Sequence, residues 1–238
     1  MAILHYLPIV LIIAVGSILS VMTQKLSFWA AITAAAVGLL VFAGEGYTGF
    51  IMLSAFFLFG ILATSWKKAE KHRFKAKSDR SVKRTAGQVF ANGGVAAILG
   101  LFVLWMPHHA GLFRLMMAAA LSSATADTLS SELGMIYGYF FFNITTLRRE
   151  SKGLDGVISL TGTLIGIAGS AVIAFIYCLN IGKRFWLIVF AGTIGNLADS
   201  LFGATYERKG MMGNNTVNFL NTLAAALTAW LLHVLFKW

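Results

Sequence analysis

The segment ATADTLSSELG, residues 124–134, sets Asp127 and Glu132 in a stretch otherwise oily enough for lipid, and ADSL at 198–201 echoes its ADTL with Asp199. An uncompensated ionisable group in a spanning helix costs at least about 2.5–3.5 kcal/mol on insertion scales, so such a residue is functional or paired. Asp127 and Glu132 are five residues apart, about 500° of helical rotation, which leaves them about 140° apart around the axis. They cannot share one face of a regular helix. Acting together requires a helix break near Gly134 or a third group that bridges them, and Asp199, 72 residues after Asp127, is the natural partner. Hard oxygen donors without His or Cys nearby suit Mg²⁺, which is usually held by one or two carboxylates plus substrate phosphates. The structural alternative is ion pairing of Asp127 or Glu132 with Arg148, Arg149 or Lys152 at the membrane surface.

Further polar groups have spacings that suit anions. Arg84, Gln88 and Asn92 follow i, i+4, i+8, one helical face that ends in NGG, where backbone can approach a ligand; Lys83 adjoins them. The stretch GLDGVISLTGTLIGIAGS supplies Asp155, Gly156, Ser159, Gly162 and Thr163 at a helix N-terminus, where free N–H groups and the macrodipole favour phosphate. Gly166 and Gly169 in the same stretch fit close helix contact. In GNNTVNFLNT, Asn214, Asn218 and Asn221 lie on one face with Asn215 beside Asn218, suited to interhelical hydrogen bonds or to metal and phosphate ligation. His108 and His109 fall at the opposite end of their span, and His5, His72 and His233 are isolated, so no nucleophile and base pair assembles. GYFFF and GMM offer apolar surface for lipid or core. Walker, kinase-loop and nucleic-acid motifs are absent, which speaks against a nucleic-acid partner.

The elements that position these residues are membrane helices. Of the 238 residues 58% are hydrophobic and 12% charged, and apolar windows at roughly 3–21, 28–43, 48–65, 88–106, 111–131, 157–178, 185–202 and 217–235 predict about eight spans of an all-α polytopic bundle. The first window reads as a retained helix, because no basic residue precedes it and ILSVMTQK is a poor cleavage site. Cys178, the one cysteine, fits plain packing. The connection KKAEKHRFKAKSDRSVKR carries nine Lys and Arg against Glu70 and Asp79, net +7 of the chain's +10. The positive-inside rule makes it cytoplasmic and the N-terminus external, with Lys183 and Arg184 as exceptions on the outer side. Its charge sets topology and touches anionic lipid, or binds a polyanion directly. The chain thus divides into a three-helix region 1–66, a basic connection 67–86 and a five-helix region 87–238. ADTL and ADSL each close an odd-numbered span at the cytoplasmic end, as a tandem repeat of helix pairs would.

All four polar constellations, at 83–92, 127–134, 155–163 and 199–218, fall at that same end. Acids for a metal, helix ends for phosphate and a basic connection beside lipid describe phosphoryl transfer to or from a lipid-anchored group. The chain resembles the integral-membrane family that contains the plant phytyl-phosphate kinase of the vitamin E pathway. The likeness runs from about Lys83 to the C-terminus, through KRTAGQVFANG, ATADTLSSELG, GVISLTGTL, GNLADSLFGAT and NNTVNFLNT. One departure is SKGLDGVISL, where a GTNGG-like stretch is expected; the first three spans carry no matching motif.

The resemblance implies a kinase, using CTP or another NTP, that converts a prenyl monophosphate to the diphosphate. It implies Asp127, Asp199 and Glu132 as acids for Mg²⁺, with Lys83 and Arg84 as catalytic cations. Gln88, Asn92, Ser159, Gly162, Thr163, Ser200, Asn214, Asn215 and Asn218 would bind phosphate or nucleotide, and the prenyl tail would lie between helices. Other CTP-dependent lipid enzymes, a polyprenol kinase or a lipid cytidylyltransferase, share these needs. A transporter also has eight helices and buried acids, with coupling residues near the bilayer midplane.

Overall fold

A computed structural model describes residues 2–71 and 83–236. Residues 72–82, most of the basic connection, lie outside the described residues, and so does its expected polyanion contact except at Lys83 and Arg84. Helix α1 is Ala2–Met22, α2 Phe28–Ser65, α3 Lys68–Lys71, α4 Ala86–Trp105 and α5 Ala110–Tyr137. A two-stranded ribbon follows, β1 Phe142–Asn143 antiparallel to β2 Val157–Ile158, then α6 Leu160–Ile181, α7 Phe185–Phe202, a π-helical turn Gly203–Glu207 and α8 Asn214–Phe236. The protein is an all-α polytopic membrane bundle.

Helix α2 is a hairpin. Gly46, at φ 65° and ψ −147°, occupies a region open to glycine alone, and there the chain doubles back. Gly38 in the first arm faces Leu53 in the second, and at the other end Lys25 donates to Ser65 Oγ at 3.1 Å. The arms 28–45 and 47–65 are therefore the second and third expected spans. Arg114 secures the turn, its Nε donating to Gly44 O at 3.0 Å and lying 3.5 Å from buried Glu45.

Helix α5 is the hub, packed against α2, α4, α6, α7 and α8. Its residues from Leu115 to Ala126 are buried, with Ala and Ser predominant. Small residues let backbones approach: a Cβ on Gly134 would lie 2.8 Å from Gly162 Cα, and one on Gly100 would lie 2.3 Å from Leu40 O. Gly166 and Gly169 are such contacts too, against Asn196 and Leu129. Among the described residues five helices are each long and apolar enough to cross a membrane, namely α2, α4, α6, α7 with its π-turn, and α8. Helix α5 is not among them.

The basic connection, the ribbon and the α7–α8 turn gather at one end of the bundle. Gly46, the 3₁₀ turn Pro107–His109 and Gly182 gather at the other. Trp66, Tyr137, Tyr139 and Phe140 are exposed at the first end, and Tyr47, Trp105 and Trp186 at the second, as two interfacial aromatic belts would be.

Candidate active site

A cavity of about 370 Å³ opens at the first end. Lys83, Arg84, Gln88, Asn92, Asp127, Glu132, Asp155, Ser159, Gly162, Thr163, Asp199, Ser200, Asn214 and Asn218 all line it. Four sequence constellations thus converge on one polar space. Asn215 is the exception: its amide lies against Gly87, off the cavity wall.

Helices α5 and α7 run parallel, both ending at the cavity, so Asp127 and Asp199 meet carboxyl to carboxyl within hydrogen-bonding contact. Asn221 of α8 orients Asp199: its Nδ2 donates to Asp199 Oδ1 at 2.8 Å, while its Oδ1 accepts from Ser123 Oγ at 3.0 Å. Both Asn221 and Ser123 are fully buried. Asn196, one turn before Asp199, accepts from Ser130 Oγ at 3.0 Å, and Ser130 follows Asp127 by one turn. Asn196 and Ser130 are legible as polar residues at helical spacing from the acids; Asn221, on the asparagine face suited to interhelical hydrogen bonds or ligation, makes interhelical hydrogen bonds.

Glu132 has a different partner from those expected. Helix α5 continues unbroken past Gly134 to Tyr137, and the cavity reaches Glu132 by wrapping around the helix. Its carboxylate pairs with Lys71 of α3. Lys71, 2% exposed, also donates to Ala63 O at 2.6 Å and Thr64 O at 3.0 Å, the last carbonyls of α2. No local signal marks this contact, since Lys71 is one of nine similar cations in its segment. Through Thr64 on the cavity wall, and through the Ala63 and Thr64 carbonyls that hold Lys71, the N-terminal region takes part in the site.

Arg84 is not on the helical face assigned to it. Thr85 is the N-cap of α4, and Arg84 precedes it in a bridge with Leu26, its O accepting from Ser27 N at 3.0 Å. The guanidinium lies against Gly60 and 5.9 Å from the Phe56 ring centre. Burial draws its pKa down from the ordinary value and Glu132 partly offsets this; a guanidinium stays charged at neutral pH. Gln88 completes a capping box, its Oε1 accepting from Thr85 N at 2.9 Å, and Asn92 Nδ2 donates to Gln88 O at 2.9 Å. Ser159 caps α6 by accepting from Gly162 N at 3.1 Å, and Thr163 Oγ1 donates to Ser159 O at 3.1 Å. Asn218 donates to Asn214 Oδ1 at 3.0 Å. Several expected phosphate ligands are thus also the caps that shape the wall.

The donor set fits a divalent cation. Asp127, Glu132, Asp155, Asp199 and Glu207 line the cavity, against Lys83 and Arg84 as its basic lining residues among those described. Among the described residues no three His, Cys, Asp or Glu side chains form a closed cage. A carboxylate pair that leaves coordination positions for phosphate oxygens and water is the Mg²⁺ pattern.

The family model "Integral membrane protein DUF92" matches residues 10–226, so the likeness reaches the early spans, where no motif was recognised, as well as the region after Lys83. An uncharacterized membrane protein of Methanocaldococcus jannaschii is 34% identical over 199 residues, 82% of this chain and 79% of that protein. Protein VTE6, chloroplastic, of Arabidopsis thaliana is 30% identical over 206 residues, 82% of this chain and 62% of that protein. An uncharacterized membrane protein of Synechocystis is 31% identical over 203 residues, 81% of this chain and 77% of its own length. No solved structure matches.

Proposed function

The chain belongs to the DUF92 family of integral membrane proteins, the family its motifs resemble, and from that membership and the cavity we propose that it is a membrane-embedded kinase using CTP or another NTP to convert a prenyl monophosphate to the diphosphate. The observation that carries this reading is the Asp127–Asp199 pair, set in an acid-rich cavity at the lipid boundary with Arg84 and Lys83 on the wall. Paired carboxyls of this kind suit a metal–nucleotide complex, whose cation they would share with phosphate oxygens. We assign this end to the cytoplasmic side from the basic connection that enters it.

A prenyl monophosphate is largely a dianion at pH 7, because its second pKa is about 6. Its oxygen therefore needs no strong general base. That oxygen forms a bond to the γ-phosphorus while the bond from γ-phosphorus to the β–γ bridging oxygen breaks, and the nucleoside diphosphate leaves with the electron pair. Asp127 and Asp199 would hold Mg²⁺, which when bound supplies charge neutralisation and alignment of the phosphates. Lys83 and Arg84 neutralise phosphate oxygens, and the α6 N-terminus at Ser159–Thr163 offers N–H groups to the same anions. Asn221 and Ser123 keep Asp199 aimed at Asp127. A transporter site is expected near the bilayer midplane; this cavity lies at one end of the bundle.

The test is to incubate purified protein with Mg²⁺, each NTP in turn and phytyl, farnesyl or geranylgeranyl monophosphate, and to look for diphosphate. Label transferred from the γ-position of CTP supports the kinase. Label from the α-position replaces it with cytidylyl transfer, and no product from folded protein overturns both.

A further inference from the structure

The ribbon between α5 and α6 has two faces. Phe141, Leu154, Val157 and Ile158 turn toward the cavity. On the outside, Tyr139 is 74% exposed, and Phe140 and Leu147 are each 73% exposed. Phe140 and Leu147 also have left-handed backbone, at φ 54° and 55°. A bulky residue in that region is an outlier that persists only where its surroundings impose it.

At Leu147 the surroundings impose it. Buried Asn143 Oδ1 accepts from Thr145 N at 2.8 Å and Thr146 N at 3.2 Å, and Leu147 N closes the turn on Asn143 O at 2.8 Å. Arg208 clamps the segment that connects the two strands, donating to Glu150 Oε2 at 2.7 Å and to Asp155 O at 2.5 Å. A rigid frame therefore holds large apolar side chains outward, against both backbone preference and the hydrophobic effect in water. The exterior they meet is apolar.

Three neighbours identify it as lipid. Trp66 Nε1 donates to Tyr137 Oη at 2.8 Å, so the aromatic belt leads directly into Tyr139 and Phe140. Exposed Leu160 and Leu164 carry the apolar strip down α6. Cations flank it: Arg148 and Arg149 are exposed, and the Arg149 guanidinium lies 5.2 Å from the Phe140 ring centre. Apolar side chains beside Arg are the pattern of an element seated at an anionic interface.

We propose that the ribbon, residues 139–154, is an interfacial anchor seated in the headgroup zone of an anionic leaflet, and that it forms the threshold an amphiphilic phosphate crosses to reach the cavity. The threshold role rests on the kinase reading; the anchor does not.

The test uses the full chain with Cys178→Ala and a nitroxide at Leu147→Cys, in nanodiscs of mixed phosphatidylcholine and phosphatidylglycerol. Oxygen is expected to relax the label more than an aqueous nickel chelate does, with the reverse for a label at Lys209→Cys. Aqueous accessibility equal to that of the Lys209 control overturns the anchor. Equal immersion in pure phosphatidylcholine overturns its anionic preference. In the Phe140→Ser/Leu147→Ser variant, KM for a long-chain prenyl monophosphate in the bilayer should rise about tenfold at unchanged kcat, with no change for a short, water-soluble one. Equal loss on both substrates overturns the threshold. If the wild type turns over no prenyl phosphate, the kinase reading and the threshold fall together, and the depth measurement still decides the anchor.

Discussion

Ser123 on α5 and Gly195 on α7 touch across an offset of 72 residues, the same offset that brings Asp127 to Asp199. The echo between ADTL and ADSL is thus a packing register between parallel helices. A Cβ on Gly195 would lie 2.1 Å from Ser123 Oγ and 2.7 Å from Asn221 O, so Gly195→Ala should separate the helices. We expect a stability loss of about 1–3 kcal/mol, read from thermal unfolding in detergent, and a lower kcat because the aspartates move apart.

Asp127→Asn and Asp199→Asn should each lower kcat by at least about 10²-fold. Both variants should stay folded, with a melting temperature equal to or above that of the wild type, since each replaces a buried carboxyl crowded against another by a neutral amide. Initial rates with γ-labelled nucleotide, alongside melting curves, check this. Wild-type turnover in Asp127→Asn would sink the assignment.

Lys71 and Glu132 should behave as a buried ion pair. Removing either partner alone costs about 3–5 kcal/mol, and the double variant Lys71→Met/Glu132→Gln should recover a large part of that loss in a double-mutant cycle. The Mg²⁺ concentration for half-maximal rate should be unchanged in Glu132→Gln and raised in Asp199→Asn, which separates a structural carboxylate from a metal-binding one.

Asn221→Leu keeps the volume near Asp199 but removes its hydrogen bond, a loss worth about 1–3 kcal/mol at a buried site. The expected signature is a fall in kcat at nearly constant KM for nucleotide, with Asn221→Gln failing to rescue because the longer amide cannot bridge Ser123 and Asp199. A change confined to KM would remove Asn221 from that role.

The Glu150–Arg208 clamp gives the ribbon a pH dependence. The Arg208 hydrogen bond holds the Glu150 carboxyl below its usual range. A depressed pKa stabilises the fold fully above the unfolded value of about 4.3, and that contribution is lost as pH falls through the lower, folded value. A nitroxide at Ser151→Cys, again with Cys178→Ala, should become mobile only under acid conditions below that range, and at neutral pH in Arg208→Ala.

Much of this site was legible because lipid makes polar residues costly: Asp127, Asp199 and the asparagines stand out from an apolar background. Helical spacing also separated Glu132 from Asp127 before any partner was known. What stayed hidden depends on contacts between distant segments. Nothing local distinguishes Lys71 from its basic neighbours. The ribbon is too short to leave a strand pattern, and Gln88 serves as a cap only because α4 begins at Thr85 rather than before Arg84. The α2 hairpin was readable from GEGY, since a glycine between two apolar windows is where a chain can reverse.

Helix α5 carries Asp127, Ser122, Ser123 and a buried run of small residues, is enclosed by five neighbours, and is not apolar enough to count as a span by itself. During synthesis such a segment has little reason to leave the translocon sideways into bilayer alone. Its partition is favourable once α2 and α4 offer a protein surface to lean on, and it is completed only when α6, α7 and α8 arrive. Asp127 therefore sits on a segment that depends on its protein neighbours, and assembly order bears on whether the cavity forms.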